Sequence, residues 1–268
     1  MKVISIVNLK GGVAKTTTAV NLAALLARDH DKRVLLIDAD SQGNTTGFYR
    51  SSDDRKEDTL ADLLRMPKSE RTEFSVSFSL DEVIRPSCFD GVDLLPADNT
   101  LMDLDLTKVE DDRVFTAVLK LGLPRLSSRY DAVIIDCPPA FNAASAAALL
   151  ASDHVLIPVK LDAFALEGLG NLLQQVANMR KINPSLSILG ILPVMWYKSE
   201  LIRNAERQLR DSGLPILPRI RRSDKVDVMT FRQAPLIDCA PKCGACRDYR
   251  VLAKRLLQPT QTGKEASA

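Results

Sequence analysis

Histidine is almost missing from this 268-residue chain: His30 and His154 stand alone, so no catalytic histidine is expected. Net charge is scarce too. The +2 left by 36 basic and 34 acidic residues is too small to imply a polyanionic partner unless the charges cluster locally. Long apolar runs are absent. The longest apolar region, 143–159, is interrupted by Ser145, Ser152, Asp153 and His154, so no segment is expected to span a bilayer. The opening "MKVISIVNL" is too short for a secretory signal and has no cleavage site, which leads to the expectation of a cytoplasmic protein. Five cysteines is an odd number, and without an export signal they read as reduced thiols rather than a disulfide framework.

What the chain does have is alternation. Segments 2–8, 33–38, 92–97, 130–136, 154–159 and 187–194 are nearly continuous in Val, Ile and Leu, the pattern of strands buried on both faces of a parallel sheet. Helical periodicity occupies 15–28, 113–126, 142–151, 166–181, 200–212 and 247–257. This order predicts an α/β fold with a doubly wound, mostly parallel sheet flanked by helices. Residues 50–86 are less regular, with a short helix expected near 59–64. With no repeat and no linker, one domain is expected over 1–257, followed by a polar tail at 258–268 that frays.

The stretch "NLKGGVAKTTTAV" (8–20) sits between a strand and a helix, where a phosphate-binding loop belongs, although it does not spell the common form. Ala14 precedes Lys15 where a glycine is usual, and an additional lysine, Lys10, stands ahead of Gly11 and Gly12. The glycines allow the backbone to approach an anion, which the helix N-terminus and successive N–H groups attract. Lys15 is positioned to reach the β- and γ-phosphates of ATP, and Thr16 to offer a hydroxyl to Mg²⁺. Two aspartates close "VLLID" and its extension, Asp38 and Asp40, and Asp136 closes "AVIID". Carboxylates at the C-terminal edge of a parallel sheet lie where such folds bind ligands.

Lys-Gly-Gly-x-x-Lys-Thr followed by "LLIDADSQGN" and "IIDCPPA" resembles the deviant Walker A ATPases of the ParA/MinD type, most closely the ParA partition proteins. The likeness extends through "LIPVKLDAFALEGLGNLL", "GILPVM" and "LPRIRRSDKV", and so covers the chain to about residue 257. It implies an ATP-sandwich homodimer in which Lys10 crosses to the partner's γ-phosphate, with Gly11 at the close contact. It also implies that Asp40 orients the attacking water, that Asp38 lies near the magnesium shell, and that Asp136 is the Walker B carboxylate. Gly11, Gly12, Val13, Ala14, Lys15, Thr16 and Thr17 would surround the phosphates, and Pro193, Met195 and Pro218 the adenine. Ala14 fits this scheme if its φ is negative at the helix start, where Ala costs little. Ser41 and Asp162 depart from the family, which usually carries Pro and Glu there.

Arg203, Arg207 and Arg210 share one helical face, and Arg219, Arg221, Arg222 and Lys225 follow. Arginines without interleaved aromatics suit phosphate contacts rather than base stacking. Together with the resemblance, they imply sequence-independent binding of double-stranded DNA by Arg203, Arg207, Arg210, Arg219 and Arg222. A ParB-like or other adaptor would then stimulate slow hydrolysis and release. Cys239, Cys243 and Cys246 in "DCAPKCGACRDY" leave a rival reading open, an iron–sulfur carrier ATPase. A membrane-cycling ATPase of the MinD kind is the other rival. It requires an amphipathic C-terminal helix, whereas the expectation here is of no membrane partner.

Overall fold

The computed structural model describes residues 1–54, 57–65, 80–104, 118–162 and 165–258. Among the described residues, seven strands form one sheet in the order β3-β4-β2-β5-β1-β6-β7. They are β1 (Lys2–Ile6), β2 (Val34–Asp38), β3 (Arg85–Pro86), β4 (Val92–Leu95), β5 (Ala132–Asp136), β6 (His154–Lys160) and β7 (Ser187–Val194). Every pairing is parallel except β3 with β4. All six strands expected from the sequence are present. β3 was not foreseen, because a two-residue edge strand has no periodicity to read.

Alternation along the central strands divides the core into two apolar clusters. Leu35 and Ile37 of β2 and Val133 and Ile135 of β5 face one, whereas Val34, Leu36 and Ile134 face the other. Each buried Leu or Ile contributes roughly 1.5–3 kcal/mol, which is why these strands read as unbroken apolar runs. The second cluster is closed by α1 (Lys15–His30) packed on the final helix.

After α1 come α2 (Asn44–Tyr49), α3 (Leu60–Arg65), α4 (Val118–Gly122), α5 (Ala143–Ala151) and α6 (Ala165–Arg180). They are followed by α7 (Glu200–Asp211), α8 (Lys225–Arg232), α9 (Leu236–Cys239) and α10 (Gly244–Leu257). α3 confirms the short helix expected in the irregular stretch, and the Thr59 hydroxyl accepts the Ala61 amide at its start. Of the helix expected at 113–126, residues 113–117 lie outside the described residues; the remainder is α4 continuing into a 3₁₀ segment, Leu123–Ser128. The tail beyond residue 258 is likewise outside them. α2, α8 and α9 were not expected. They are too short to show a helical period, and α2 follows a polar turn ending in Gly43 that reads as loop.

Candidate nucleotide and metal site

The chain leaves β1 through Asn8, whose amide donates to the Pro158 carbonyl at 2.7 Å while its side-chain oxygen accepts the Lys10 N–H. That anchoring starts the loop at the edge where β1 and β6 part. Gly12 has φ +70°, a conformation glycine adopts without steric cost. Ala14 has φ +62° and ψ +33°, which corrects the expectation of a negative φ there. Alanine in this left-handed well costs about 1–2 kcal/mol, so the loop carries strain that a glycine would relieve.

Lys15 is 7% exposed, and its Nζ donates to the Lys10 carbonyl at 3.1 Å, curling over the loop. Burial lowers its pKa, against the pull of Asp136 and Asp40. Lys10 behaves differently. It lies at the rim, 39% exposed in its side chain, and pairs with Asp162 of the same chain at 2.6 Å. Between Lys15 and Asp40 is a cavity of about 360 Å³ lined by residues 11–17.

Asp38 and Asp136 sit side by side in register at the ends of β2 and β5. Asp136 Oδ2 accepts the hydroxyls of Thr16 and Thr45, both at 2.7 Å. Its Oδ1 is buried and has no partner among the described residues. A carboxylate oxygen orphaned beside a phosphate loop and a threonine hydroxyl fits a hard, oxygen-seeking cation such as Mg²⁺. Asp38 is committed elsewhere: its oxygens accept the Asp40 N–H and both the N–H and hydroxyl of Thr46. It therefore fastens the segment from Asp40 into α2 to the sheet. Burial, then the neighbouring Asp136, raises Asp38 to about 7. Burial likewise raises Asp136 to about 6, opposed by its two threonine hydroxyls and by Lys15. Asp40 accepts the Gln42 amide and lines the cavity.

A second cavity of about 340 Å³ adjoins Ala14 and Thr17 and is walled by Met195, Tyr197, Arg222, Asp224 and Asp227. Met195 lines it, whereas Pro193 and Pro218 do not. Pro193 is held inside the sheet, paired with Val159, and its carbonyl accepts the Ile220 N–H. Thr45, Asp224 and Asp227 were missed by sequence reasoning, since no spacing or motif distinguishes a hydroxyl or carboxylate that only the fold carries to the site.

The arginines separate into two groups. Glu206 of α7 is nearly buried and accepts from Arg210 at 2.8 Å, Arg219 at 3.3 Å and the Trp196 indole at 3.0 Å. Burial pushes its carboxyl up, but these donors outweigh burial and hold it below the ordinary value. Arg219 also stacks on Trp196, 3.6 Å from the ring centroid. Arg210 and Arg219 thus serve as counter-charges to Glu206, although both side chains remain about half exposed. Arg203 and Arg207 are exposed on α7, and Arg222 borders the second cavity.

Neither rival reading gains support. Among the described residues, no group of three or more His, Cys, Asp or Glu could hold a metal ion. The apolar face of α10 is buried in the core through Tyr249, Leu252 and Leu256 instead of being offered to lipid. No helix among the described residues is long and apolar enough to cross a membrane.

A glycine-bearing loop between a parallel strand and a helix, with its lysine turned inward and carboxylates at the neighbouring strand ends, defines a P-loop nucleotide-binding protein. The AAA domain family model matches residues 1–188. A ParA family protein of Chlamydia trachomatis is 34% identical over 261 residues, covering 96% of this chain and 98% of that protein. The chromosome partitioning protein ParA of Caulobacter vibrioides is 36% identical over 273 residues, covering 96% and 94%. Among solved structures, cobyrinic acid a,c-diamide synthase from Mycobacterium smegmatis, with bound ATP analogue and magnesium, superposes with a TM-score of 0.78 at 28% identity, over 98% of this chain and 97% of that one. The chain belongs to the ParA family of P-loop ATPases.

Proposed function

We propose that this protein is an ATP-driven molecular switch. It binds ATP with Mg²⁺, dimerises around two nucleotides, holds double-stranded DNA without sequence preference, and lets go after hydrolysis stimulated by an adaptor protein. The role that follows is segregation of DNA or positioning of a cargo along it.

The observation that carries this reading is the contrast between two lysines on one loop. Lys15 is turned into the cradle and nearly buried, whereas Lys10 stands at the rim. A cradle needs one lysine; a second on the rim suits delivery of positive charge to a neighbouring subunit's nucleotide, as an arginine finger does. In this scheme the N–H groups of residues 11–17 and the Lys15 ammonium bind the β- and γ-phosphates. Asp40 orients the water, and Lys10 of the other subunit offsets charge on the transferring phosphoryl group. Asp136 and Thr16 would hold Mg²⁺, which neutralises phosphate charge. Asp38 fastens the segment from Asp40 into α2, which borders that shell. ATP and water give ADP and phosphate, and the exposed Arg203 and Arg207 supply the DNA contacts.

The test is DNA binding by the wild type and Lys10→Ala, each with and without ATP. Wild type should bind only with ATP, and Lys10→Ala should fail to respond. Removing the Lys10–Asp162 pair should itself cost less than about 1 kcal/mol, since both groups are partly exposed. Equal binding by the wild type with and without nucleotide would refute the switch.

A further inference from the structure

Cys243 occupies an unusual place. It is the N-cap of α10, with φ −68° and ψ 159°, and its Sγ accepts the Cys246 N–H at 3.3 Å. N-caps are normally Ser, Thr, Asp or Asn, and sulfur is a weak acceptor. A cysteine here is therefore a poor choice for capping alone. Cys246 lies three residues on, fully buried, while Cys243 is only half-buried. N-cap and third helical residues have Cα atoms about 5–6 Å apart, within the span of a disulfide.

We propose that Cys243 and Cys246 form a thiol–disulfide exchange pair whose substrate is a small-molecule disulfide. The accessible Cys243, as thiolate, attacks one sulfur of R–S–S–R. A Cys243–S–R bond forms, the R–S–S–R bond breaks, and the departing thiolate takes a proton from water. Cys246 then loses its proton to water and attacks Cys243 Sγ, expelling the second RS⁻. The protein dithiol gives up two electrons and two protons, and the disulfide becomes two thiols. Burial pushes the Cys246 thiol up to about 11, which slows the second step and gives the mixed disulfide time to accumulate.

The other cysteines fit the role less well. Cys137 is buried at the end of β5, and Cys88 is far off in sequence beside Phe48. Cys239 lies on α9, where its thiol is directed at the Ala234 carbonyl, 3.8 Å away. The Cys243–Cys246 turn is also tied to the second cavity. A Cβ at Gly244 would lie 2.4 Å from Arg221 Cδ, and Arg221 lines that cavity while holding Asp248 of α10.

The experiment exposes the full chain to mixtures of reduced and oxidised glutathione, quenches with acid, alkylates, and maps cysteines by mass spectrometry. An internal Cys243–Cys246 bridge, reversed by dithiothreitol and retained in Cys239→Ser, is expected. Cys246→Ala should stop with glutathione on Cys243. Cys243→Ser, which installs a better cap and so keeps the fold, should leave Cys246 modified about tenfold more slowly. A folded chain that forms no bridge, a bridge that uses Cys239, or a Cys246→Ala variant without glutathione on Cys243 would each overturn the proposal.

Discussion

Replacing Thr45 by valine tests whether α2 is held by the Asp136 carboxylate. The side chain is fully buried on α2 and donates to Asp136 Oδ2 at 2.7 Å, and valine keeps nearly its shape while deleting the donor. A hydrogen bond to a charged group contributes about 1.5–3 kcal/mol, and a neutral one about 0.5–1.5. Asp136 is charged at pH 8 and protonated at pH 5, because its folded-state pKa is about 6. The deficit should therefore be about 1.5–3 kcal/mol at pH 8, a fall in Tm of roughly 3–5 °C, and about half that at pH 5. Urea unfolding without nucleotide, in EDTA, measures it. Thr45→Ser keeps the hydroxyl and should recover most of the loss at pH 8. A valine variant within about 0.5 kcal/mol of wild type at pH 8, or a serine variant no better than valine, would refute the reasoning.

Three further outcomes are expected. Asp38 and Asp136 have folded-state values of about 7 and about 6, above the ordinary 3.8, so the native protein keeps protons that the unfolded chain has released. Stability without nucleotide should then fall, by roughly 5 kcal/mol if both shifts are fully expressed, as pH rises from about 4 to 7, and more shallowly in Asp136→Asn. Arg203→Ala and Arg207→Ala should each weaken DNA binding on all sequences and reduce the salt slope by about one with Tm unchanged, whereas Arg219→Ala should cost about 1 kcal/mol of stability by uncovering Trp196 and Glu206. At position 14, thermal melts should rank Gly at or above Ala and place Val lowest. The left-handed backbone favours glycine, part of whose gain is offset by unfolded-chain entropy, and opposes a β-branched residue.

Much of this protein is legible in one dimension. Unbroken Val/Ile/Leu runs fixed six strands and the parallel sheet, since burial on both faces leaves no polar alternation. The loop lysines and strand-end aspartates were found because a phosphate cradle is local: strand, turn and helix are contiguous, so spacing alone reports it. Tertiary structure decided everything that depends on distant segments meeting. It brought Thr45 and Thr16 onto the same oxygen of Asp136, turned Lys10 to Asp162 across 152 positions of chain, and drew Arg210 and Arg219 around Glu206. It also set Ala14 in a left-handed conformation that its residue type argues against. A side chain's partners are set by packing, which sequence order does not encode in any short window. Chemistry carried by a single turn could therefore be read from the letters, and chemistry shared between turns only from the fold.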